Sequence, residues 1–220
     1  MRQVVLDTET TGLSPQTGDR LIEIGCVEMI DRKLTGNTFH RYINPMRDVN
    51  PGAFKVHGIS TEFLQDKPLF KEVKEELKDF IEGAELIIHN APFDVGFLEF
   101  EFKLLDDPWE NLEEFCHITD TLMMARQMHP GQKNNLDALC KRYEINNAHR
   151  TKHGALLDAE ILAELYLVMT GGQTDMGLEI QQDEASPVFK LNTKGIELPI
   201  LYATLEENQA HEAYLEKINK

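Results

Sequence analysis

The sequence is short of positive charge. Its 220 residues include 22 lysines and arginines against 38 aspartates and glutamates, which gives a formal net charge of −16. A broad basic surface is the usual mark of a protein that grips nucleic acid by its phosphates. Two interpretations remain: nucleic acid is not the ligand, or it is held locally through bound cations and delivered by a partner.

Cysteine is also scarce. Cys26, Cys116 and Cys140 lie far apart among apolar neighbours, and no C-x-x-C spacing occurs. This pattern predicts buried, reduced thiols and argues against a zinc site or a redox pair.

Long apolar runs are lacking as well. The longest, such as residues 86–88 and 165–169, are too short to span a bilayer. The N-terminus passes directly into a strand-like Val4-Val5-Leu6 without a basic-then-apolar signal region. We therefore expect a cytoplasmic protein with no membrane partner.

Apolar residues recur with the periods of strands and helices over the first 170 residues. Strands are predicted, from β-rich segments bounded by turns, at 4–7, 21–30, 38–43, 86–89 and 115–119. Helices are predicted, from helical spacing of apolar side chains, at 71–81, 92–105, 121–128, 136–143 and 155–169. Three strands in hairpin order, followed by alternating helices and strands, predict an α/β fold: a mixed five-stranded sheet with helices on both faces.

The composition changes after Gly171-Gly172, which ends the last long helix. Residues 172–187 are rich in Gln, Asp, Glu and Ser, as in a tether. Residues 188–220 contain an apolar stretch at 196–202 and a helix-like stretch at 205–218 but are too few to form a core alone. The sequence thus predicts a globular domain at 1–171, a polar linker at 172–187 and a C-terminal segment at 188–220 that a partner covers.

Two acidic residues lie where a strand end would not usually hold them. Asp7 ends the first apolar run and Glu9 lies two residues on, so both carboxylates project to one side of an extended chain. Carboxylates this close repel each other unless a cation lies between them. Hard oxygen ligands suit Mg²⁺ or Mn²⁺. The alternative is a capped turn, because Asp-Thr-Glu-Thr-Thr-Gly is also good turn chemistry.

Two further carboxylates are ambiguous when taken alone. Asp94 falls in the first turn of the helix after strand 86–89, where the helix dipole favours negative charge without any function. Asp158 lies in a small, apolar stretch, where a buried carboxylate is costly unless it is paired or binds a metal. His153, five residues earlier, would lie about 140° away on an ideal helix. We therefore expect it on the preceding loop, with Gly154 allowing the bend, as a general base.

In chain order these residues resemble the three motifs of the DEDDh family of 3′→5′ exonucleases: Asp7-Thr8-Glu9, then His89-Asn90 with Phe93-Asp94, then His153 with Asp158. Within that family the sequence is similar to the epsilon-type proofreading subunits of bacterial replicative polymerases, over residues 3–173. A D-x-E alone is a weak signal, whereas three motifs in order are specific. The resemblance implies a ribonuclease H-like fold and an enzyme that releases nucleoside 5′-monophosphates from single-stranded or frayed 3′ DNA ends.

The resemblance also implies two divalent cations, Mg²⁺ or Mn²⁺, and a role for each acidic residue. Asp7 would bridge both ions, and Glu9 and Asp158 would hold the first. Asp94 would act on the second through water, and His153 would deprotonate the attacking water. Two such ions can clamp the attacking and leaving oxygens of an in-line displacement.

Substrate contacts are implied in the same way. The terminal nucleotide would contact Thr8, Thr10, Thr11, Leu13, His57 and Phe93. Leu13 would in addition wedge against the penultimate base. The sequence departs from close relatives at Gly52, where they carry a glutamate, so this chain has no such side chain to contact the sugar.

The tail implies protein partners. Residues 173–178, Gln-Thr-Asp-Met-Gly-Leu, are similar to the Q-x-x-[LM]-x-[LF] peptides by which bacterial replication proteins dock on the sliding clamp. The alternative is an arbitrary linker hexamer, because the pattern is short. As in the family, residues 188–220 would anchor the chain to the catalytic (alpha) subunit of the polymerase, and a small theta-like subunit is a further expected partner. Tethering at roughly millimolar effective concentration would make a basic DNA-binding surface unnecessary.

Two other functions compete with proofreading. The first is a 3′-end trimming exoribonuclease of the same family, which would not need the extension at 173–220. The second is a catalytically inactive replisome scaffold, which would have no use for four carboxylates with a histidine.

Overall fold

The computed structural model describes residues 1–147, 150, 152–171, 204, 205, 207 and 211. The chain divides into two compact units, Met1–Met176 and Gly177–Lys220. The predicted linker at 172–187, with its 173–178 peptide, and nearly all of the predicted segment at 188–220 lie outside the described residues. No helix among the residues described is long and apolar enough to cross a membrane.

Five strands form one mixed sheet. They are β1 Arg2–Thr10, β2 Leu21–Ile30, β3 Lys33–Tyr42, β4 Glu85–Ile88 and β5 His117–Asp120. Their order across the sheet is β3-β2-β1-β4-β5. β2 pairs antiparallel with β1 and β3, whereas β4 pairs parallel with β1 and β5. The carboxyl ends of β1, β4 and β5 therefore meet at one edge of the sheet.

Helices cover both faces of this sheet. They are α1 Pro51–His57, α2 Thr61–Leu64, α3 Phe70–Ile81, α4 Ala91–Lys103, α5 Thr121–Met128, α6 Leu136–Arg142 and α7 Ala155–Gly171. Side chains of α3 and α4 share one apolar core with the sheet, and side chains of α5, α6 and α7 share a second core. The predicted α/β class, with a mixed five-stranded sheet between helices, is confirmed. The three cysteines are buried and free, as predicted.

β1 contributes to both cores in alternation. Val4 and Leu6 pack in the core of α3 and α4, and Val5 packs in the core of α6 and α7. Because successive side chains of a strand point to opposite faces, even positions of β1 face α4 and odd positions face α7. This alternation continues through the polar end of the strand. It therefore decides which face of the sheet each site residue of β1 points to.

The sequence-based prediction is least accurate around β3, α1 and α2. The strand expected at 38–43 begins at Lys33, because Asp31 and Arg32 alone turn the chain with left-handed φ of 49° and 63°. The first half of β3 is exposed, so no apolar pattern marks it in the sequence. α1 and α2 were not predicted, and α1 buries only His57, which leaves it without an apolar periodicity.

One described part of the tail agrees with its prediction. The backbone N–H of Thr204 donates to the Glu207 carboxylate (2.8 Å), and the N–H of Glu207 donates to the Thr204 hydroxyl (3.2 Å). This reciprocal pair is a helix capping box. Leu205, Glu207 and His211 are helical, in line with the helix-like stretch predicted at 205–218.

Candidate active site

Four carboxylates from three elements meet at the carboxyl edge of the sheet. Asp7 and Glu9 come from β1, Asp94 from the first turn of α4 and Asp158 from the first turn of α7. All four line one cavity together with His153. Asp94 and Asp158 are only 3% and 2% exposed, whereas Asp7 and Glu9 are half-buried. The structure thus brings together every residue predicted to act in catalysis.

The alternation of β1 divides this cluster between two faces. Thr8, an even position, faces α4, and its hydroxyl donates to the Asp94 carboxylate at 2.7 Å. Glu9, an odd position, faces α7, where potential ligand atoms of Glu9, His153 and Asp158 all lie within 4.8 Å of one another. The strand therefore lies between two acidic groups that belong to opposite layers of the fold.

A glycine on β2 allows α7 to come this close. Gly25 pairs with Asp7 across the β1–β2 ladder. A Cβ at position 25 would lie 2.2 Å from the backbone nitrogen of Leu156, so only glycine fits there. The first turn of α7 consequently rests on the sheet directly beside Asp7, and it carries Asp158 to the site.

His153 lies on the loop that precedes α7, as predicted. Its backbone N–H donates to the Val56 carbonyl (3.3 Å), which ties this loop to the end of α1. The predicted need for Gly154 at the bend is wrong. Its φ is not left-handed, and a Cβ there would meet no atom within 4 Å.

Arg150 was not predicted and lies inside the cluster, with a side chain only 6% exposed. Its Nε and Nη2 donate to the two carboxylate oxygens of Asp158, the second at 2.6 Å. Nη1 donates to Asp137 at 2.6 Å. The sequence carries only a weak signal of it: in an acidic chain, Arg150 and Lys152 are basic residues within three positions of His153, which does not reveal the contact with Asp158.

The same guanidinium contacts the histidine. Arg150 Nη2 lies 2.8 Å from Nδ1 of His153. Since a guanidinium can only donate, Nδ1 accepts, and a neutral His153 ring carries its proton on Nε2. In this arrangement neither ring nitrogen of a neutral His153 is available to take a proton from water.

Burial and mutual repulsion disfavour the ionised form of the clustered carboxyl groups. Burial, followed by the charges of Asp94, Glu9 and Asp158, raises the pKa of Asp7 well above its ordinary value. Burial and the charge of Asp158 raise the pKa of Glu9 to about 8. Burial raises the pKa of Asp94 to about 7, against the hydrogen bond from Thr8. Burial also acts to raise the pKa of Asp158, but hydrogen bonds from Arg150 prevail and lower it.

This donor set fits hard divalent cations. Clustered carboxylate oxygens that resist ionisation are stabilised when a cation lies among them. The arrangement supplies oxygen ligands from Asp7, Glu9 and Asp158 on one side and from Asp94 on the other, as such ions prefer.

Two cavities meet at Glu9 and Phe93. One of about 690 Å³, the polar cleft, is lined beyond the acidic residues by His89, Asn90, Leu122, Arg126 and Gln132 among others. Another of about 490 Å³, the apolar pocket, is lined by Thr10, Leu13, Ala53, Val56 and His57 among others. Both reach Glu9 and Phe93, so a chain-like ligand can extend from one to the other across the carboxylates.

The residues predicted to contact substrate do not all reach these cavities. Thr10, Leu13, His57 and Phe93 line the apolar pocket, and Leu13 is 86% exposed at its edge. Thr8 lines the polar cleft instead. Thr11 must be corrected: it lines neither cavity and is fully buried.

Thr11 has a structural role in place of the predicted contact. Its hydroxyl donates to Asp19 (3.2 Å) and accepts from the backbone N–H of Arg20 (3.0 Å). Gly52, where a glutamate was expected from the resemblance, does line the apolar pocket, and a Cβ there would meet no atom within 4 Å. The pocket is therefore open at that position.

Comparison with known proteins agrees with this geometry. The family model described as Exonuclease matches residues 4–166. The DNA polymerase III subunit epsilon of Escherichia coli (strain K12) is 52% identical over 228 residues, covering 100% of this chain and 94% of that relative. That of Pasteurella multocida (strain Pm70) is 53% identical over 228 residues, covering 100% of this chain and 90% of the relative.

Solved structures show the same fold. Exonuclease X, in complex with 5′ overhanging duplex DNA, aligns with a TM-score of 0.62 and 27% identity over 78% of this chain and 92% of that one. A zinc-bound exonuclease I–single-stranded DNA complex from E. coli aligns with a TM-score of 0.69 and 17% identity over 78% of this chain and 41% of that one. The predicted ribonuclease H-like exonuclease fold is thereby confirmed. From its matched residues and its full-length relatives, the chain belongs to the exonuclease family, in the group that holds the DNA polymerase III epsilon subunits.

Proposed function

We infer that this chain is a 3′→5′ exodeoxyribonuclease that acts as the proofreading subunit of a replicative DNA polymerase. The observation that carries this inference is the meeting of four carboxylates and His153 in one polar cleft that adjoins an apolar pocket at Glu9. The full-length similarity to epsilon subunits supports the same conclusion. The reaction adds water across the last phosphodiester: the water oxygen bonds to phosphorus, the P–O3′ bond breaks, and a nucleoside 5′-monophosphate leaves.

The carboxylates have the ligand roles in this proposal. Two divalent cations, Mg²⁺ or Mn²⁺, would be held by Asp7, Glu9, Asp158 and, through water, Asp94, and would stabilise charge on the attacking and leaving oxygens. Thr8 fixes the orientation of the Asp94 carboxylate through its 2.7 Å hydrogen bond. Arg150 has to release Asp158 before both of its oxygens can serve as ligands.

His153 is the general base of the proposed reaction. The side chain is 42% exposed beside Asp158, so water can reach it. Proton transfer to the neutral ring requires that Arg150 give up its hydrogen bond to Nδ1. One movement of Arg150 thus prepares both the metal ligand and the base.

The apolar pocket would hold the terminal nucleoside. Its walls of Leu13, Val56 and Phe93 suit a base of any identity. The Ile59 N–H donates to Nδ1 of His57 (3.0 Å), so the neutral ring carries its proton on Nε2. Burial lowers the pKa of His57 and keeps it neutral. Nε2 is buried and makes no hydrogen bond with the described residues.

Partners and location are part of the proposal. The tail from residue 172 would bind the sliding clamp through residues 173–178 and the polymerase alpha subunit through residues 188–220, with a theta-like subunit as a further partner. A cytoplasmic location follows from this role. Tethering explains how a chain with a net charge of −16 works on DNA.

Hydrolysis of a 3′-labelled single-stranded DNA tests the activity. In Mg²⁺ or Mn²⁺ the labelled product should be a nucleoside 5′-monophosphate, and chelation should stop its release. Asp158→Ala, Asp7→Ala, Glu9→Ala and Asp94→Ala should each remove nearly all activity while the circular dichroism spectrum persists. An Asp158→Ala enzyme with normal turnover would show that the site is not the one proposed.

The same assay separates the competing functions. A faster rate on RNA of the same sequence would identify an exoribonuclease. A wild-type chain without nuclease activity that still binds both polymerase and clamp would identify a scaffold.

A further inference from the structure

Arg126 differs from the other arginines. In the part of the chain that the structure describes, each of the rest donates at least one hydrogen bond: Arg2, Arg20, Arg32, Arg41, Arg47, Arg142 and Arg150. Arg126 donates no hydrogen bond to any described residue, although the protein has many more acidic than basic residues. It is exposed, and it lines the polar cleft.

The position of Arg126 is well supported. α5 begins directly after β5, and the Asp120 carboxylate accepts from the N–H groups of Leu122 (2.8 Å) and Asn90 (3.1 Å). The Thr121 hydroxyl and Nδ1 of His89 are 2.9 Å apart. Leu122 and Arg126 are one helical turn apart and line the same cleft. These contacts tie the start of α5 to the carboxyl edge of the sheet, where the carboxylates lie.

The two cavities define a path for a strand. With the terminal nucleoside in the apolar pocket and its phosphate at the carboxylates, the rest of the strand leaves along the polar cleft. The next phosphodiester then enters a cleft whose lining includes the acidic residues Asp7, Asp94 and Asp137. Cations held at the carboxylates would serve the scissile phosphate, so the following phosphate needs a separate positive group.

We propose that Arg126 binds the phosphodiester immediately 5′ of the scissile one, and that the polar cleft is an upstream strand subsite. This proposal rests on the proposed function. A guanidinium suits the task, since its planar donors can form two hydrogen bonds to one phosphate. Phosphate contacts carry no sequence information, so the subsite holds any strand in register.

Substrates of different length test the subsite. The p-nitrophenyl ester of thymidine 5′-monophosphate has a scissile ester and no upstream phosphate, whereas trithymidylate has one upstream phosphodiester. Arg126→Gln should lower the ratio of kcat/KM on trithymidylate to kcat/KM on the ester about tenfold, the scale of one charge-assisted hydrogen bond. For longer DNA, the slope of log kcat/KM against log salt should become shallower by about 0.7, the value for one phosphate contact on a single strand.

A substrate with one uncharged linkage tests whether Arg126 acts on the charge of the upstream phosphate. Replacing the upstream phosphodiester of trithymidylate by a methylphosphonate should cost the wild type about the same tenfold factor and cost Arg126→Gln nothing further. Arg41→Gln removes a half-buried arginine that pairs with Glu76 and lines neither cavity, so it serves as the control. Its substrate ratio should equal that of the wild type.

Three results would overturn the proposal. They are an Arg126→Gln ratio equal to wild type, an equal loss on both substrates, and a methylphosphonate penalty that persists in the variant. A wild-type chain that hydrolyses neither substrate would instead overturn the proposed function, and the subsite with it.

Discussion

At the scale of single residues, protonation of the carboxylates links the site to stability. Glu9 and Asp94 have pKa values of about 8 and 7, and the pKa of Asp7 is also raised. The unfolded chain releases these protons near pH 4. Between pH 4 and 8 the metal-free folded state therefore binds more protons than the unfolded state, and its stability falls as pH rises.

We therefore predict that the melting temperature of the chelated protein falls from pH 5 to pH 8.5. Saturating Mn²⁺ should remove most of this fall, because the cation replaces the protons. Glu9→Gln lacks one of the titrating groups, so its metal-free pH profile should be flatter. Differential scanning calorimetry with and without chelator makes the measurement, and a flat metal-free profile in the wild type would contradict it.

The substitution Arg150→Gln tests whether the ion pair with Asp158 competes with metal binding. Arg150→Gln leaves Asp158 without its cation, and breaking a buried pair costs about 3–5 kcal/mol. We expect a lower melting temperature in chelator and a larger rise on adding Mn²⁺ than in the wild type, because the metal no longer competes with a guanidinium. Arg41→Gln breaks an exposed pair with Glu76 and should change both quantities little, within about 1 kcal/mol. An equal Mn²⁺-induced rise in melting temperature in the wild type and in Arg150→Gln would show that the arginine does not compete with the metal.

His153 can be tested as a base rather than a ligand. His153→Ala should lower kcat by about 10²–10⁴-fold, the usual contribution of a positioned general base. The Mn²⁺-induced rise in melting temperature should persist, because the carboxylates remain. His117→Ala, an exposed histidine on β5, is the control and should retain full activity. Loss of the Mn²⁺ effect in His153→Ala would make the histidine a ligand.

At the scale of elements, the contact between β2 and α7 sets the distance between Asp7 and Asp158. We predict that Gly25→Ala, whose Cβ would overlap the backbone of Leu156, pushes the first turn of α7 away from β1. Overpacking of this kind costs about 1–3 kcal/mol. Activity should fall more than stability suggests, since a displacement of about 1 Å can cost 10²-fold.

A second glycine provides the comparison for Gly25→Ala. Gly96 lies within α4, and a Cβ there would meet no atom within 4 Å. Gly96→Ala should keep full activity in the 3′-label assay and an unchanged or higher melting temperature. Equal, small effects of the two substitutions would mean that α7 does not need the glycine contact.

Elements with periodic apolar faces could be predicted from the sequence, and elements without them could not. β2 matches its predicted bounds, and α3 and α7 do so within two residues, because their buried residues recur regularly. α1 and the first half of β3 have few buried side chains and left no such pattern. The carboxylates could be found from motif order, but Arg150 could not, because a contact between loop and helix decides its role.

At the scale of the whole molecule, the negative charge of the tail indicates that the tail serves assembly and the preceding domain serves catalysis. Beyond Thr170 the sequence has nine acidic and four basic residues, so the tail is not a DNA-binding arm. We predict that a chain ending at Gly172 digests single-stranded DNA at nearly the full-length rate and fails to co-purify with the polymerase subunit. Loss of activity on free oligonucleotides after truncation would make the tail part of the catalytic domain.

The clamp peptide is tested within the full chain. Gln173→Ala combined with Leu178→Ala should weaken clamp binding in surface plasmon resonance and leave nuclease activity and polymerase binding intact. Gln182→Ala, outside the hexamer, is the matched control. Clamp binding unchanged by the double substitution would leave residues 173–178 as an ordinary linker.

The guanidinium of Arg150 also bears on when the domain can acquire its ions. Small zinc domains stay unfolded until metal arrives, since nothing else neutralises their ligands. Here Arg150, with protons on Glu9 and Asp94, partly neutralises the acidic cluster from within the chain. We expect the domain to fold first and take up its ions afterwards, and to exchange magnesium for manganese without unfolding. Ion occupancy would then follow the free concentrations in the cell by mass action, for a nuclease that is folded throughout.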